Sequence, residues 1–262
     1  NNPKVTKTYV LEKKYLYLYK AIKSFGQFDV FFSFRGSIRS KFIKFCIPSA
    51  IKYQFDKNIY NNGHQVEKYN NFINESLKIN TAASKLRLYV EKQGKNRKNK
   101  LLGINPGASY GSAKRWYPKE FADVAVGLSR QYDIIIFGGP EEKDIAADIE
   151  KYLIEYGVDN YQNLATSLTI KELIYQISDL DLFITGDSGP MHLAAAFQVP
   201  TVTIFGPTNH KETSQWMNTK STIVKKNLEC QPCMKRICPL KHHNCMSLLK
   251  AEEVLEAVKK FS

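Results

Sequence analysis

No stretch of the 262 residues approaches the roughly 18 consecutive apolar residues that a membrane-spanning helix needs, and the opening segment, Asn1 to Lys7, has no apolar signal core. The expectation is a soluble, non-exported protein. Internal repeats and low-complexity tracts are also missing, which excludes solenoids and tethers. Five cysteines are too few to staple a chain of this size, so they point to a reducing, cytosolic compartment rather than to a disulfide scaffold. Acidic residues are scarce in one half only. Residues 1–100 carry 21 Lys/Arg against 6 Asp/Glu, whereas residues 101–262 carry 17 against 19. A field of that sign attracts phosphate-rich partners such as nucleic acid, an anionic membrane surface or a phosphorylated saccharide.

What is present is a substantial apolar fraction, 43%, with enough length to bury a core and to carry two domains. The polar run Lys92-Gln-Gly-Lys-Asn-Arg-Lys-Asn-Lys100 has the composition of a linker, and divides the chain into residues 1–97 and 98–262. Beyond it the periodicity alternates. Strands are expected over Leu101–Asn105, Asp133–Phe137, Asp181–Thr185 and Thr201–Phe205, and helices over Pro118–Gln131, Glu141–Tyr156, Thr169–Ser178, Pro190–Phe197 and Ala251–Phe261. Such alternation builds a parallel sheet covered on both faces, a Rossmann-like α/β domain. The first part reads as helix Tyr9–Lys23, strand Asp29–Phe34, helix Ile38–Phe45, strand Ile51–Phe55 and helix Val66–Leu77. Two strands do not close a doubly wound sheet, so either this domain is small or its opening strands precede Asn1.

Four segments carry chemistry. Asn105-Pro-Gly-Ala-Ser-Tyr-Gly-Ser-Ala-Lys-Arg-Trp116 joins a strand to a helix. Its backbone N–H groups and Lys114 can cradle a phosphate, and an ordinary turn with solvated cations fits the same spacing. Ile136-Phe-Gly-Gly-Pro140 ends a strand where open α/β sheets place ligand crevices. Thr185-Gly-Asp-Ser-Gly-Pro-Met-His192 delivers Asp187, Ser188 and Gly189 into a helix N-terminus. That arrangement suits a diphosphate, with Asp187 accepting from sugar hydroxyls; it equally suits an N-cap Asp and a first-turn His. Ile204-Phe-Gly-Pro-Thr208 adds a further strand end. Finally, Cys230, Cys233, Cys238 and Cys245, with His242 and His243 among them, offer the ligand types of a zinc site, but their spacing matches no common zinc module and buried free thiols are frequent.

Taken together, NPGASYGSAKRW, GDSGPMHLAAA, IFGPT and CQPCMKRICPLKHHNCM resemble the ADP-heptose:lipopolysaccharide heptosyltransferases of glycosyltransferase family 9, and the last run is most similar to the heptosyltransferase II branch. The resemblance spans roughly residues 98–255, with Phe34-Arg-Gly-Ser-Ile-Arg-Ser40 and His64-Gln-Val-Glu-Lys-Tyr69 in matching places of an acceptor domain. It implies the GT-B architecture, two Rossmann-like domains facing a cleft. It also implies inverting transfer of L-glycero-D-manno-heptose from ADP-heptose to a Kdo-bearing lipid A acceptor, at the cytoplasmic face of the inner membrane of a Gram-negative cell, with no cofactor and no metal.

Carried onto this sequence, the resemblance assigns Lys114 and Asp187 to catalysis. It assigns Ser109, Tyr110, Lys114, Glu141, Leu168, Asp187, Ser188, Gly189 and His192 to the donor, and Arg35, Arg39 and Lys68 to the acceptor. The family's Gly-Asp pair, which carries its general base, does not occur in residues 1–97. The base is therefore expected upstream of Asn1, together with the missing strands. Two rivals remain on the sequence alone: another GT-B enzyme, either a UDP-sugar transferase or a nucleotide-sugar 2-epimerase, and a basic nucleic-acid-binding protein, for which no binding motif is present.

Overall fold

The computed structural model describes residues 2–90, 97–107 and 110–261. They form two compact units that meet at Ser84 and Lys85, ahead of the charged run that suggested a division near residue 97. Most of that run lies outside the described residues.

The first unit comprises α1 (Tyr15–Lys23), β1 (Phe28–Ser33), α2 (Ile38–Cys46), β2 (Ser49–Gln54) and α3 (Gln65–Leu77). β1 and β2 pair in parallel, with Val30 opposite Ile51. Aromatic rings make its core: Phe55 lies 5.7 Å from Phe72 and 5.0 Å from Tyr69, both edge-on, an arrangement that the ring quadrupoles favour. α1 is shorter than the apolar pattern predicts. Tyr9 packs on Phe25, ring centroids 4.2 Å apart. A helix running from residue 9 would hold those rings roughly 24 Å apart. The tertiary contact therefore overrides local periodicity. α3 begins with a capping box in which Glu67 Oε2 accepts from the His64 N–H at 2.8 Å and His64 Nδ1 accepts from the Val66 N–H at 3.2 Å.

The second unit holds β3 (Lys100–Asn105), α4 (Pro118–Leu128), β4 (Tyr132–Ile136), α5 (Lys143–Glu155), β5 (Tyr161–Asn163), α6 (Ile170–Asp179), β6 (Leu182–Gly186), α7 (Gly189–Phe197), β7 (Thr201–Ile204), α8 (His210–Thr213), β8 (Ser221–Val224), α9 (Asn244–Ser247) and α10 (Ala251–Val258). Its six strands are parallel in the order β5-β4-β3-β6-β7-β8. Counted within the unit this is 3-2-1-4-5-6, the doubly wound dinucleotide-binding order, and the order reverses between β3 and β6. Side chains alternate between the faces. Ile134, Ile136, Leu182 and Ile184 join Phe121, Ile149 and Val254 of α4, α5 and α10, while Ile135 and Phe183 join Ile177 and Ala194 of α6 and α7. Arg97 anchors the entry to β3 through Asp181 Oδ2 at 2.6 Å, an oxygen that also accepts from the Leu101 N–H at 2.9 Å.

α6 is closed by a reciprocal cap: Thr169 Oγ1 accepts from the Glu172 N–H at 3.3 Å and Glu172 Oε2 accepts from the Thr169 N–H at 2.8 Å. Thr169→Ala should therefore lower the unfolding free energy by about 1 kcal/mol. Chemical denaturation checks it; an unchanged midpoint at unchanged slope would mean that the cap contributes nothing.

Candidate active site

The C-terminal ends of β3 and β6, at the point where the strand order reverses, bring two of the sequence motifs together. Asn105 closes β3, and its Nδ2 donates to Thr185 Oγ1 at 3.2 Å and Ser188 Oγ at 3.1 Å, which ties the end of β3 to the loop after β6. Lys114, at the end of a 3₁₀ turn over Ser112–Lys114, reaches Asp187. Its Nζ lies 2.6 Å from Asp187 Oδ2 and 3.2 Å from the Asp187 carbonyl oxygen. Asp187 is only 6% exposed, and its Oδ2 also accepts from Thr208 Oγ1 at 2.7 Å. The ammonium sits 4.7 Å from the centre of the Tyr110 ring. A lysine ammonium has three donors, and two of them are directed at Asp187. Ser188 and Gly189 open α7, with Pro190 in its first turn, so unsatisfied N–H groups and the positive end of the helix dipole face the same region.

Beside this pair is a cavity of ≈ 290 Å³ whose lining includes Phe137, Leu164, Leu168 and Leu173 on the apolar side and Asn105, Glu142 and Ser188 on the polar side. A cavity with an apolar side and a few fixed polar groups, opening beside a helix N-terminus, suits a nucleoside joined to a diphosphate.

Of the sequence-assigned donor residues, the structure gathers Tyr110, Lys114, Asp187, Ser188, Gly189 and Leu168 about these two features. His192 stands half-buried on the first turns of α7, and Ser109 lies outside the described residues. Glu141 is exposed; its neighbour Glu142 is buried, lines the cavity and accepts from the Gly139 N–H at 2.8 Å. Adjacent glutamates in a turn give no sequence signal of which one faces inward. Asn105 and Thr208 belong to motifs recognised in the sequence, yet their positioning roles depend on contacts 83 and 21 residues away. On the first unit, Arg35 and Arg39 are exposed, whereas Lys68 is 5% exposed and does not share their solvent-facing surface.

The cysteine run latches the Lys114 turn. Tyr110 Oη donates to the Met234 carbonyl at 2.7 Å, the Ala113 N–H donates to the Arg236 carbonyl at 3.0 Å, and His243 Nε2 lies 3.0 Å from the Ala113 carbonyl. Burial, together with the nearby thiols of Cys230, Cys233 and Cys238, pushes the Cys245 thiol up to about 11. Among the described residues no group of three or more His, Cys, Asp or Glu side chains is arranged to hold a metal ion.

A doubly wound sheet with a cation and a helix N-terminus at its switch point, in a chain that also carries a second α/β unit, fits the GT-B class of glycosyltransferases. Two solved structures share the fold. A family 9 glycosyl transferase from Veillonella parvula superposes with a TM-score of 0.82 at 20% identity, covering 99% of this chain and 83% of that one. The Escherichia coli ADP-heptose lipopolysaccharide heptosyltransferase II gives 0.74 at 18% identity, covering 93% and 78%. Residues 17–244 match glycosyltransferase family 9 (heptosyltransferase), and the chain belongs to that family. The lipooligosaccharide heptosyltransferase 2 of Campylobacter jejuni serotype O:2 is 45% identical over 243 residues, 90% of this chain and 76% of that protein.

Proposed function

We propose that this chain transfers L-glycero-D-manno-heptose from ADP-heptose, with inversion, to a phosphorylated, Kdo-bearing inner-core acceptor of heptosyl-Kdo2-lipid A type. The observation that carries the reading is the Lys114–Asp187 pair, 2.6 Å apart, set beside the apolar cavity at the strand switch point. The adenine would lie against Leu168 and Leu173, and the diphosphate between Lys114 and the first N–H groups of α7. In the reaction an acceptor hydroxyl oxygen bonds to the anomeric carbon from the face opposite the diphosphate, and the hydroxyl proton passes to a general base and on to solvent. The carbon–oxygen bond to ADP breaks, and its electron pair leaves with the β-phosphate. Lys114 meets the charge that develops there; Asp187, held by Lys114 and Thr208, fixes the ammonium in place.

Among the described residues no helix is long and apolar enough to cross a membrane. The basic first part of the chain, with Arg35 and Arg39 exposed on its α/β unit, suits a phosphorylated acceptor presented at the anionic cytoplasmic face of the inner membrane, which the enzyme would touch peripherally. The direct test is thermal stability with nucleotides. ADP at a hundred times its Kd should contribute about 2.7 kcal/mol of stability, with UDP giving little. Equal stabilisation by UDP would favour a UDP-sugar enzyme instead.

A further inference from the structure

Beyond Thr208 the second unit carries another cavity, of ≈ 550 Å³, at the C-terminal ends of β7 and β8. Its lining includes His210, Lys211, Lys225 and Lys226, and among the described residues no carboxylate lines it. Lys226 is partly neutralised by Glu253, 2.8 Å away behind the wall, and Lys225 donates to Asn227 Oδ1. Lys211 and Lys225 have no carboxylate partner among the ion pairs of the described residues. Glu212, the nearest acid in sequence, accepts from Asn209 Nδ2 at 2.9 Å and does not line the cavity.

Like charges gathered around one concavity repel one another, and the arrangement gains most when an anion enters. The donor's diphosphate already has its cation in Lys114. Thr208 is the shared wall: it lines this cavity while donating to Asp187 on the other side. The cationic cavity therefore adjoins the Lys114–Asp187 pair across Thr208.

We propose that this cavity seats an anionic group, carboxylate or phosphate, of the acceptor saccharide, an inference that rests on the transferase reading above. Lys225 and Lys211 supply the charge, and Asn209 and Asn227 supply donors for the neighbouring sugar oxygens. His210 reports on the site. Burial first, then Lys225 and Lys211, hold its imidazole below the ordinary histidine value, so an anion seated among them reverses the electrostatic part and raises it.

The experiment uses the full chain with the donor cavity saturated by ADP. His210 is titrated by NMR, alone and with either the phosphorylated, Kdo-bearing core saccharide freed of its lipid or inorganic phosphate. The saccharide is expected to move the His210 titration to higher pH, and Lys211→Ala and Lys225→Ala are each expected to raise the acceptor KM about tenfold at an unchanged ADP-heptose KM. A response to inorganic phosphate but none to the saccharide would overturn the assignment. So would an unchanged acceptor KM in both variants, or a rise confined to the donor KM. If ADP does not stabilise the unaltered protein, the transferase reading fails, and the His210 titration with saccharide still decides the cavity.

Discussion

Replacing Lys114 with Ala is expected to lower kcat about 10²–10³-fold while changing the donor KM far less, as for the loss of one preorganised donor in other enzymes. The anomeric carbon–oxygen bond breaks as the acceptor oxygen arrives, so negative charge on the departing ADP is larger in the transition state than in the ground state. Only an interaction that strengthens along that path raises kcat. The Lys114 ammonium is already fixed before substrate binds, by Asp187 Oδ2 at 2.6 Å and the Asp187 carbonyl at 3.2 Å, and its side chain is 11% exposed. Little reorganisation remains to be made at the moment of reaction. Lys114→Arg should recover only part of the rate, because a planar guanidinium does not place its charge where an ammonium does. Asp187→Asn keeps a hydrogen-bond acceptor for Lys114 but removes the charge that holds it, and an intermediate kcat is expected. Steady-state ADP release under saturating acceptor measures all three. A Lys114→Ala enzyme with near-normal kcat and only a raised donor KM would mean that the lysine binds ground and transition states alike.

The parts of this site that the sequence made legible are those where one residue type in one backbone setting has few uses. A lysine in a Gly/Ser-rich strand-to-helix loop and an aspartate delivered by a buried strand into a helix start stand out as candidates, although a plain turn and an N-cap fit the same spacing; that they pair with each other does not follow from either loop. The long elements of the second unit were legible because burial on both sheet faces imposes continuous apolar runs on β4 and β6, and amphipathic periods on α4 and α5. β5, three residues long, and β8, four, are edge strands whose residues are only partly buried or exposed, so they carry no such run. Lys68 shows the opposite failure. Charge in a matched segment suggested a surface contact, and the fold of α3 instead buries the side chain. The cysteine run was legible as a cluster of ligand-type residues, but its visible work is to grip the Lys114 turn through the Met234 and Arg236 carbonyls and the His243 ring. Any residue type has a carbonyl, so the sequence carried no sign of the first two contacts.

That grip gives the second large effect. Gly111 precedes the Lys114 turn with φ of +153°, a region that L side chains rarely adopt, and a Cβ placed there would stand 2.4 Å from the Arg236 carbonyl oxygen. The obstacle is backbone, so it cannot swing aside as a long side chain would. Gly111→Ala must therefore both strain the backbone, at about 1–3 kcal/mol, and push the turn off the cysteine run. The hydrogen bond from the Ala113 N–H to the Arg236 carbonyl, 3.0 Å long, is the first contact to be lost. Displacing the turn moves Lys114 away from Asp187, and misplacement by about 1 Å can cost roughly 10²-fold in rate. The expected outcome is a kcat lowered by about 10²-fold and a melting temperature lower by roughly 2–4 °C for each kcal/mol lost, with ADP still seated in the cavity because Leu164, Leu168 and Leu173 are untouched. His243→Ala separates strain from grip. It leaves Gly111 alone and removes the contacts of His243 Nε2 to the Ala113 carbonyl at 3.0 Å and of Nδ1 to Tyr117 Oη at 3.2 Å, so it should reproduce part of the kcat loss without the backbone strain. Full activity in both variants would show that the turn holds Lys114 in place without the cysteine run.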